Sequence, residues 1–568
     1  MRSTWKGPRR AILAGVAALA LLASACAAPS DDGDDADDAA VQDDGTVEVD
    51  ADDDGGDDGA VDEARTLRVA IPDDVETLDP AFGQAVLTNT VLKNVYAQPI
   101  QYTPGASDGP FAYADTTTFE GRGLESWEFS EDGRSLTMNV RQGTTFPSTG
   151  NEYSAADLVW SIERALETQA GPAWVWGNVG VTSMDQVEQL DDFTVELTEL
   201  RPSAIAEPLL RDQTLGILDS VFVQENATDD DPWALEFLAR NFAGNGKYVV
   251  DSWDTGTRMV LVANPDYWGE QPFFTRVELQ VVPESANRLA LLRDGAVDIA
   301  LELSTQELNT LENAAGVQVL SIPDRALLNL GMNLAGAPFD DVRVRQALSY
   351  AAPYEQIVDG VLAGRAAEGS GPMSVNSRFY DLYDLEELFP YETDLERAGE
   401  LLAEAGLEDG FEFELLIPQG LPFVEESAAN LRAAFDDVGV TMRIQPVSAA
   451  SMAERLAQRD YEAFINGWLT DYVDDPYYHF FLWWGTDTVL NWVGYSDATV
   501  DAALEETAEM IEDEPRREPY RRAIGQVIED APMIWLANGD FTLAMRDDIV
   551  GYVHDPDQLI TFHTLSRR

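Results

Sequence analysis

Apolar and polar positions alternate over residues 66–71, 136–141, 259–263, 277–282, 317–322, 411–417 and 440–447. Successive side chains of a strand point to opposite faces, so this period of two predicts seven strands. Helical apolar spacing fills stretches between them, and the ends carry start and stop chemistry. Ser154 with Asp157, and Thr393 with Glu396, fit capping boxes, while Gly295, Gly406 and Gly439 stand where helices should end. The run 411–417, 425–438, 440–447 reads as strand, helix, strand, a right-handed crossover with parallel strands. The pair 248–253 and 259–263, turned at Asp254-Thr255-Gly256, reads as an antiparallel hairpin. Both kinds of pairing together predict an α/β protein with mixed sheets in more than one lobe, and no repeat of fixed period interrupts the pattern.

The N-terminus does not follow this pattern. Arg2, Lys6, Arg9 and Arg10 precede an apolar run over 11–23, which ends in small residues and predicts an export leader covering 1–25. Thirteen residues are too few for a membrane-spanning helix, which needs about 20. The sole cysteine, Cys26, follows Ala23-Ser24-Ala25 and resembles the lipobox at which bacterial lipoproteins are cleaved and acylated. Ala23 departs from the leucine usual there, and Leu22 stands one position early. With no second cysteine, the exported chain has no internal disulfide and no thiolate metal site, so burial must stabilise it.

Residues 30–63 hold 17 Asp and Glu, no basic residue and no aromatic one. Such a stretch cannot bury a core and reads, together with Cys26, as a self-repelling linker over 26–63. At about 5–6 Å × √n it spans roughly 30 Å, and repulsion extends it further. The acidity is general: the chain carries a formal charge of −67, with 36 Lys and Arg against 103 Asp and Glu. That balance disfavours nucleic acid and anionic lipid as partners. Only three lysines occur, Lys6, Lys93 and Lys247, so the charge fits a salt-tolerant surface better than a site-specific one.

Catalytic patterns are missing. The three histidines, His479, His554 and His563, form no His-x-x-x-His pair, and no Gly-x-Ser-x-Gly elbow occurs. Gly244-Asn245-Gly246-Lys247 is followed by Tyr248, where a phosphate loop needs Ser or Thr. Carboxylate pairs carry no information at this density of acids. We therefore expect no enzyme, no cofactor and no metal.

Several ordered blocks resemble the family 5 extracellular solute-binding proteins, the oligopeptide, dipeptide and nickel receptors of ABC importers. They are Gly123-Leu124-Glu125-Ser126-Trp127 through Gly133, Leu136 to Phe146 and Ala155 to Ser161; Asn245-Gly246-Lys247-Tyr248; Asn264-Pro265-Asp266-Tyr267-Trp268; and Pro338-Phe339-Asp340-Asp341-Val342 through Ala347. The resemblance implies a two-lobed periplasmic-binding-protein-like α/β fold with an extra inserted domain. Mapped here, residues 64–97, 241–325 and 533–568 would form a discontinuous sheet domain, 98–240 the inserted domain of the same lobe, and 326–532 the other lobe.

Peptide-binding members of the family carry a Trp-x-x-Asp-Tyr pattern matched here by Trp468-Leu469-Thr470-Asp471-Tyr472. The resemblance implies that Asp471 meets the α-ammonium of a peptide, with Trp468, Gly467, Thr470, Tyr472 and Trp484 as further ligand-binding candidates. The 468–495 stretch is dense in aromatics, of which most are expected to be core. The implied activity is capture of short peptides between two hinged lobes, outside the cell, for delivery to an ABC permease with its ATPase by a monomer anchored through lipid on Cys26. Family membership alone leaves a nickel chelate, haem or sugar ligand open, as well as delivery to a sensor.

Overall fold

The computed structural model describes residues 63–568 apart from Asp108. The expected leader, Cys26 and most of the linker lie outside the described residues. One mixed sheet organises the fold. From edge to edge its strands run Val440–Val447, Phe411–Pro418, Ala463–Phe464, Val317–Met332, Met533–Arg546, Ile299–Ala300, Thr66–Ile71, Arg276–Val281, Arg258–Ala263 and Tyr248–Asp254. Short strands Ala366–Glu368 and Trp468–Leu469 add to its middle.

Each expected strand forms, within a residue or so at most ends, with one informative exception. The strand expected over 317–322 continues through Pro323 to Met332 and pairs antiparallel along its length with Met533–Arg546. The pairing slips twice, between Pro323 and Ala326 and between Leu328 and Asn329. Proline has no N–H to give a ladder, so Pro323 stops a sequence-level strand. The slip absorbs it, with Pro323 opposite Asp540 and Ala326 opposite Gly539. Beyond that point the pair has new neighbours: one end joins Ile299–Ala300, the other Ala463–Phe464 and Trp468–Leu469. Two strands therefore serve both halves of the sheet. The strand Met533–Arg546 has no expected counterpart, because its buried run lacks clean alternation.

The crossover forms as expected: Phe411–Pro418 and Val440–Val447 are parallel neighbours joined by the helix Pro422–Asp436. The hairpin Tyr248–Asp254 with Arg258–Ala263 also forms. Asp157 accepts from the backbone and hydroxyl of Ser154, capping the helix Ala155–Thr168. The second cap moves by one residue. Asp394, not Thr393, accepts from Arg397 N, while the Thr393 hydroxyl donates to the carbonyl of Ala352. A carboxylate one residue along is the better acceptor for an orphan helix N–H, and it frees the threonine for a tertiary bond.

Within 98–240 lie a four-stranded sheet, Leu124–Phe129, Leu136–Val140, Thr194–Leu197 and Val187–Gln189, and a pair Ile100–Ser107 and Phe111–Gly121. Buried apolar residues of this segment, such as Leu136 and Ile162, belong to the same apolar cluster as Leu415 and Trp484 of the 326–532 segment. A second cluster gathers around Val69, Tyr96, Leu279 and Met545. Three of the ordered blocks act in the scaffold: Asn264 Nδ2 donates to the Gly246 carbonyl, Lys247 stands over the Tyr267 ring, and Asp341 caps the helix Val342–Ala351.

Candidate ligand cleft

Parallel strands present their carboxyl ends, and the loops that follow them, at the same edge of a sheet, and such edges are where α/β sheets bind ligands. Thr66–Ile71 lies parallel to Arg276–Val281, and Phe411–Pro418 parallel to Val440–Val447. The residues just beyond these two ends, Pro72, Asp73 and Asp74 from one and Gln419, Leu421 and Phe423 from the other, line a single cavity of about 400 Å³. That volume lies within the range of small-ligand pockets.

A loop over 466–472 forms another wall. Trp468 and Leu469 pair with Leu328 and Leu327, which ties the loop to the long strand immediately past its first slip. The Trp468 indole stacks on Phe423 with ring centroids 5.3 Å apart and planes 13° from parallel. Next comes the helix Pro476–Trp483, capped by Asp475, whose carboxylate accepts from Tyr477 N at 2.7 Å and from Arg516 at 2.8 Å. This helix brings Tyr478, Leu482 and Trp483 to the cavity.

Of the residues singled out in the sequence, Gly467, Trp468, Thr470 and Tyr472 line the large cavity. Asp471 and Trp484 line a neighbouring chamber of about 10 Å³, which shares Leu469 and Trp483 with it. Asp471 Oδ2 lies 2.6 Å from His479 Nδ1, close but off the line of a hydrogen bond. Trp484 Nε1 donates to His479 Nε2 at 2.9 Å, and Arg325 donates to the Asp471 carbonyl at 3.2 Å. Of the other aromatics, Tyr478, Trp483 and Trp492 reach the large cavity, whereas Tyr477 and Phe481 stack on each other at 5.9 Å.

The cavity lining includes Asp73, Asp74, Glu302 and Asp557 but no Lys, Arg or His. Nearby cations are engaged elsewhere. Lys93 Nζ lies 2.7 Å from Asp557 and 3.0 Å from Asp555, and Arg211 Nη1 lies 2.9 Å from Asp555 and 3.0 Å from Asp557. Arg211 Nη2 reaches the Tyr472 carbonyl at 2.5 Å, and its guanidinium covers the Tyr102 ring at 4.4 Å. Burial by itself would raise the Asp555 carboxyl; the charges of Arg211 and Lys93 outweigh burial and hold it well below the usual carboxylate range. Burial also pushes the Tyr472 hydroxyl up, so it stays neutral.

Sequence reasoning did not find Asp73, Phe423, Asp557 or Arg211. For the first two a usable signal existed, because both follow the ends of strands that the alternation had placed. The other two come from segments distant in sequence and carry no local mark.

A chain whose sheet is shared by two halves, with a ligand-sized cavity fed by loops from both, has the architecture of a two-lobed solute receptor. The family profile "Bacterial extracellular solute-binding proteins, family 5 Middle" matches residues 118–489, more than half of the chain. The protein belongs to the family 5 bacterial extracellular solute-binding proteins, a family of exported receptors that bind solutes for transport. The "Probable D,D-dipeptide-binding periplasmic protein DdpA" of Escherichia coli (strain K12) is 28% identical over 499 residues, covering 87% of this chain and 93% of that protein. "Heme-binding protein A" of Haemophilus influenzae is 26% identical over 500 residues, covering 84% and 88%. Among solved structures, the periplasmic binding protein DppA from Helicobacter pylori in complex with the peptide STSA superposes with a TM-score of 0.74 at 22% identity, covering 88% of this chain and 98% of that one. The fold is thus the two-lobed mixed α/β fold of these receptors.

Proposed function

We propose that this protein captures short peptides in the cavity between its halves and hands them to an ABC permease with its ATPase. The observation that carries this reading is the placement of the Trp468 loop: six of its residues, Asn466 to Thr470 and Tyr472, wall a cavity of about 400 Å³ fed from both halves of the sheet. Relatives named for dipeptides and a solved neighbour holding a tetrapeptide support the choice of peptide over haem, nickel chelate or sugar. No covalent step is required, and the receptor works as a non-enzymatic monomer without a cofactor.

In this reading the domains are 64–97, 241–325 and 533–568 for the sheet domain, 98–240 for the insertion and 326–532 for the other lobe. The long strand pair is the connection, and the slip at Pro323 to Ala326 is the hinge point, since lost ladder bonds leave the backbone free to bend there. A ligand touching both lobes favours the closed state by its differential contacts. Asp471 is the anchor for the α-ammonium, aided by Trp468, Gly467, Thr470, Tyr472 and Trp484. Asp471→Ala then weakens peptide binding by about 1–3 kcal/mol, the cost of an unpaired buried charge partner. The leader directs export and is cleaved, and acylated Cys26 with the acidic linker then holds the receptor off the outer face of the cytoplasmic membrane; Cys26→Ser releases it into the medium.

Native mass spectrometry of protein purified without refolding tests the cargo. A retained, heterogeneous peptide population is expected, and a single non-peptide mass overturns the reading.

A further inference from the structure

The loop that walls the cavity is held from outside its own lobe. Arg211 Nη2 donates to the Tyr472 carbonyl at 2.5 Å, and Arg325 Nη2 donates to the Asp471 carbonyl at 3.2 Å. In the proposed division Arg211 belongs to the insertion and Arg325 ends the sheet domain, while Asp471 and Tyr472 belong to the other lobe. Two successive carbonyls of one loop are thus capped by guanidinium groups from across the division. Both arginines are buried, at 7% and 9% exposure, so water competes little for these charge-assisted bonds.

Local structure explains why both can reach. Pro323 pairs with Asp540 and Ala326 with Gly539, so the first slip leaves Asp324 and Arg325 out of the ladder. Bulges re-aim side chains. The freed Arg325 also places Nη1 3.8 Å from Asp474, further along the loop. Arg211 is anchored behind by Asp555 and Asp557, which accept from Nη1 at 2.9 and 3.0 Å, and this leaves Nη2 for the loop. A planar fork can serve both sides at once, which the single point of an ammonium cannot.

We propose that Arg211 and Arg325 are positioning residues for capture: they clamp the backbone of the cavity loop when the lobes close, so that closure and the shaping of the cavity wall are one event. The inference rests on the peptide reading above and on its hinge, and names the residues that couple the two. Opening the lobes about the slip draws the Asp471 and Tyr472 carbonyls away from the arginines and releases the loop. A ligand packed against Trp468 and Thr470 steadies the loop in the form the arginines grip, and the grip steadies the wall for the ligand. Such coupling is reciprocal. Bonds made only in the closed state oppose release and do not assist encounter, so they act on the dissociation rate.

Stopped-flow fluorescence of the full chain with trialanine separates association from dissociation, and urea unfolding of the ligand-free chain reads stability beside it. Arg325→Met is expected to speed dissociation about tenfold and to leave association within about twofold. Asp474 is not stranded by this change, because it still accepts from Ser377 Oγ at 2.6 Å and Arg378 N at 3.1 Å. Arg325→Lys, which keeps the charge and one donor, should fall between wild type and Arg325→Met. Arg211→Lys keeps a cation for Asp555 and Asp557 but cannot also reach Tyr472, and should speed dissociation about threefold. A merely structural role would lower the urea midpoint and leave both rates of the folded fraction as they are. Unchanged dissociation in both Arg325→Met and Arg211→Lys, or a loss confined to association, overturns the clamp and leaves peptide capture standing. A wild type that does not bind trialanine overturns both.

Discussion

Gly539 lies directly against the indole of Trp468: a β-carbon at Gly539 would come within 2.5 Å of the Trp468 ring. The ring occupies the space a side chain would need, which sets where the cavity wall stands. Gly539→Ala is expected to push Trp468 off Phe423, weaken peptide binding about tenfold, and cost about 1–3 kcal/mol in stability as an overpacked contact. Calorimetry and denaturant unfolding read the two effects separately, and unchanged binding would show that Trp468 placement is irrelevant to the ligand.

Arg211 ties three distant segments by bonding Asp555, Asp557 and the Tyr472 carbonyl. Arg211→Met would leave two buried carboxylates to share Lys93. The expected destabilisation is about 3 kcal/mol, as for removing one partner of a buried ion pair. The shift of the urea midpoint measures it.

Arg134 and Arg201 lie 3.6 and 3.8 Å from the two oxygens of Glu509, all three side chains more than half exposed, and the proposed domain division puts the arginines and Glu509 in different lobes. Each such pair contributes only about 0–1 kcal/mol, yet reversing the shared charge turns two attractions into two repulsions. Glu509→Arg is expected to weaken peptide binding about threefold at low salt by favouring the open lobes. In about 1 M salt, where the Debye length is about 3 Å, affinity should return to the wild-type value.

His563 makes stability depend on pH. Burial, and then the charges of Lys247, Arg122 and Lys93, hold its ring well below the usual histidine range. The folded chain keeps it neutral while the unfolded chain takes up a proton below about pH 6.5, so acid favours unfolding. Stability should be flat above that pH and fall with acidification by up to about 1.4 kcal/mol per pH unit for this one group. His563→Leu should flatten that part of the profile in denaturant titrations between pH 5 and 7.

Local pattern was enough for most strands, the 411–447 crossover and the hairpin, since each is a short-range periodicity that needs no partner to be read. It also brought Trp468, Gly467, Thr470 and Tyr472 forward, through a motif shared with relatives. The same resemblance brought Asp471 forward, but not which wall it lines: Asp471 and His479 line the small chamber, while its neighbours line the cavity. Alternation along a loop has no fixed face until something packs against it. The Thr393 cap failed for a similar reason: two adjacent residues can serve, and a tertiary bond to Ala352 took one of them.

What the sequence determined by itself was the inventory: alternating runs that become strands, an acidic stretch over 30–63 and a single cysteine. Tertiary structure alone decided how the parts meet. Strand Val317–Met332 runs past Pro323 only because Met533–Arg546, some two hundred residues away, supplies a ladder that can slip twice. The second slip sets Asn329 opposite Trp535. That pairing depends on register between distant strands, which no local pattern encodes.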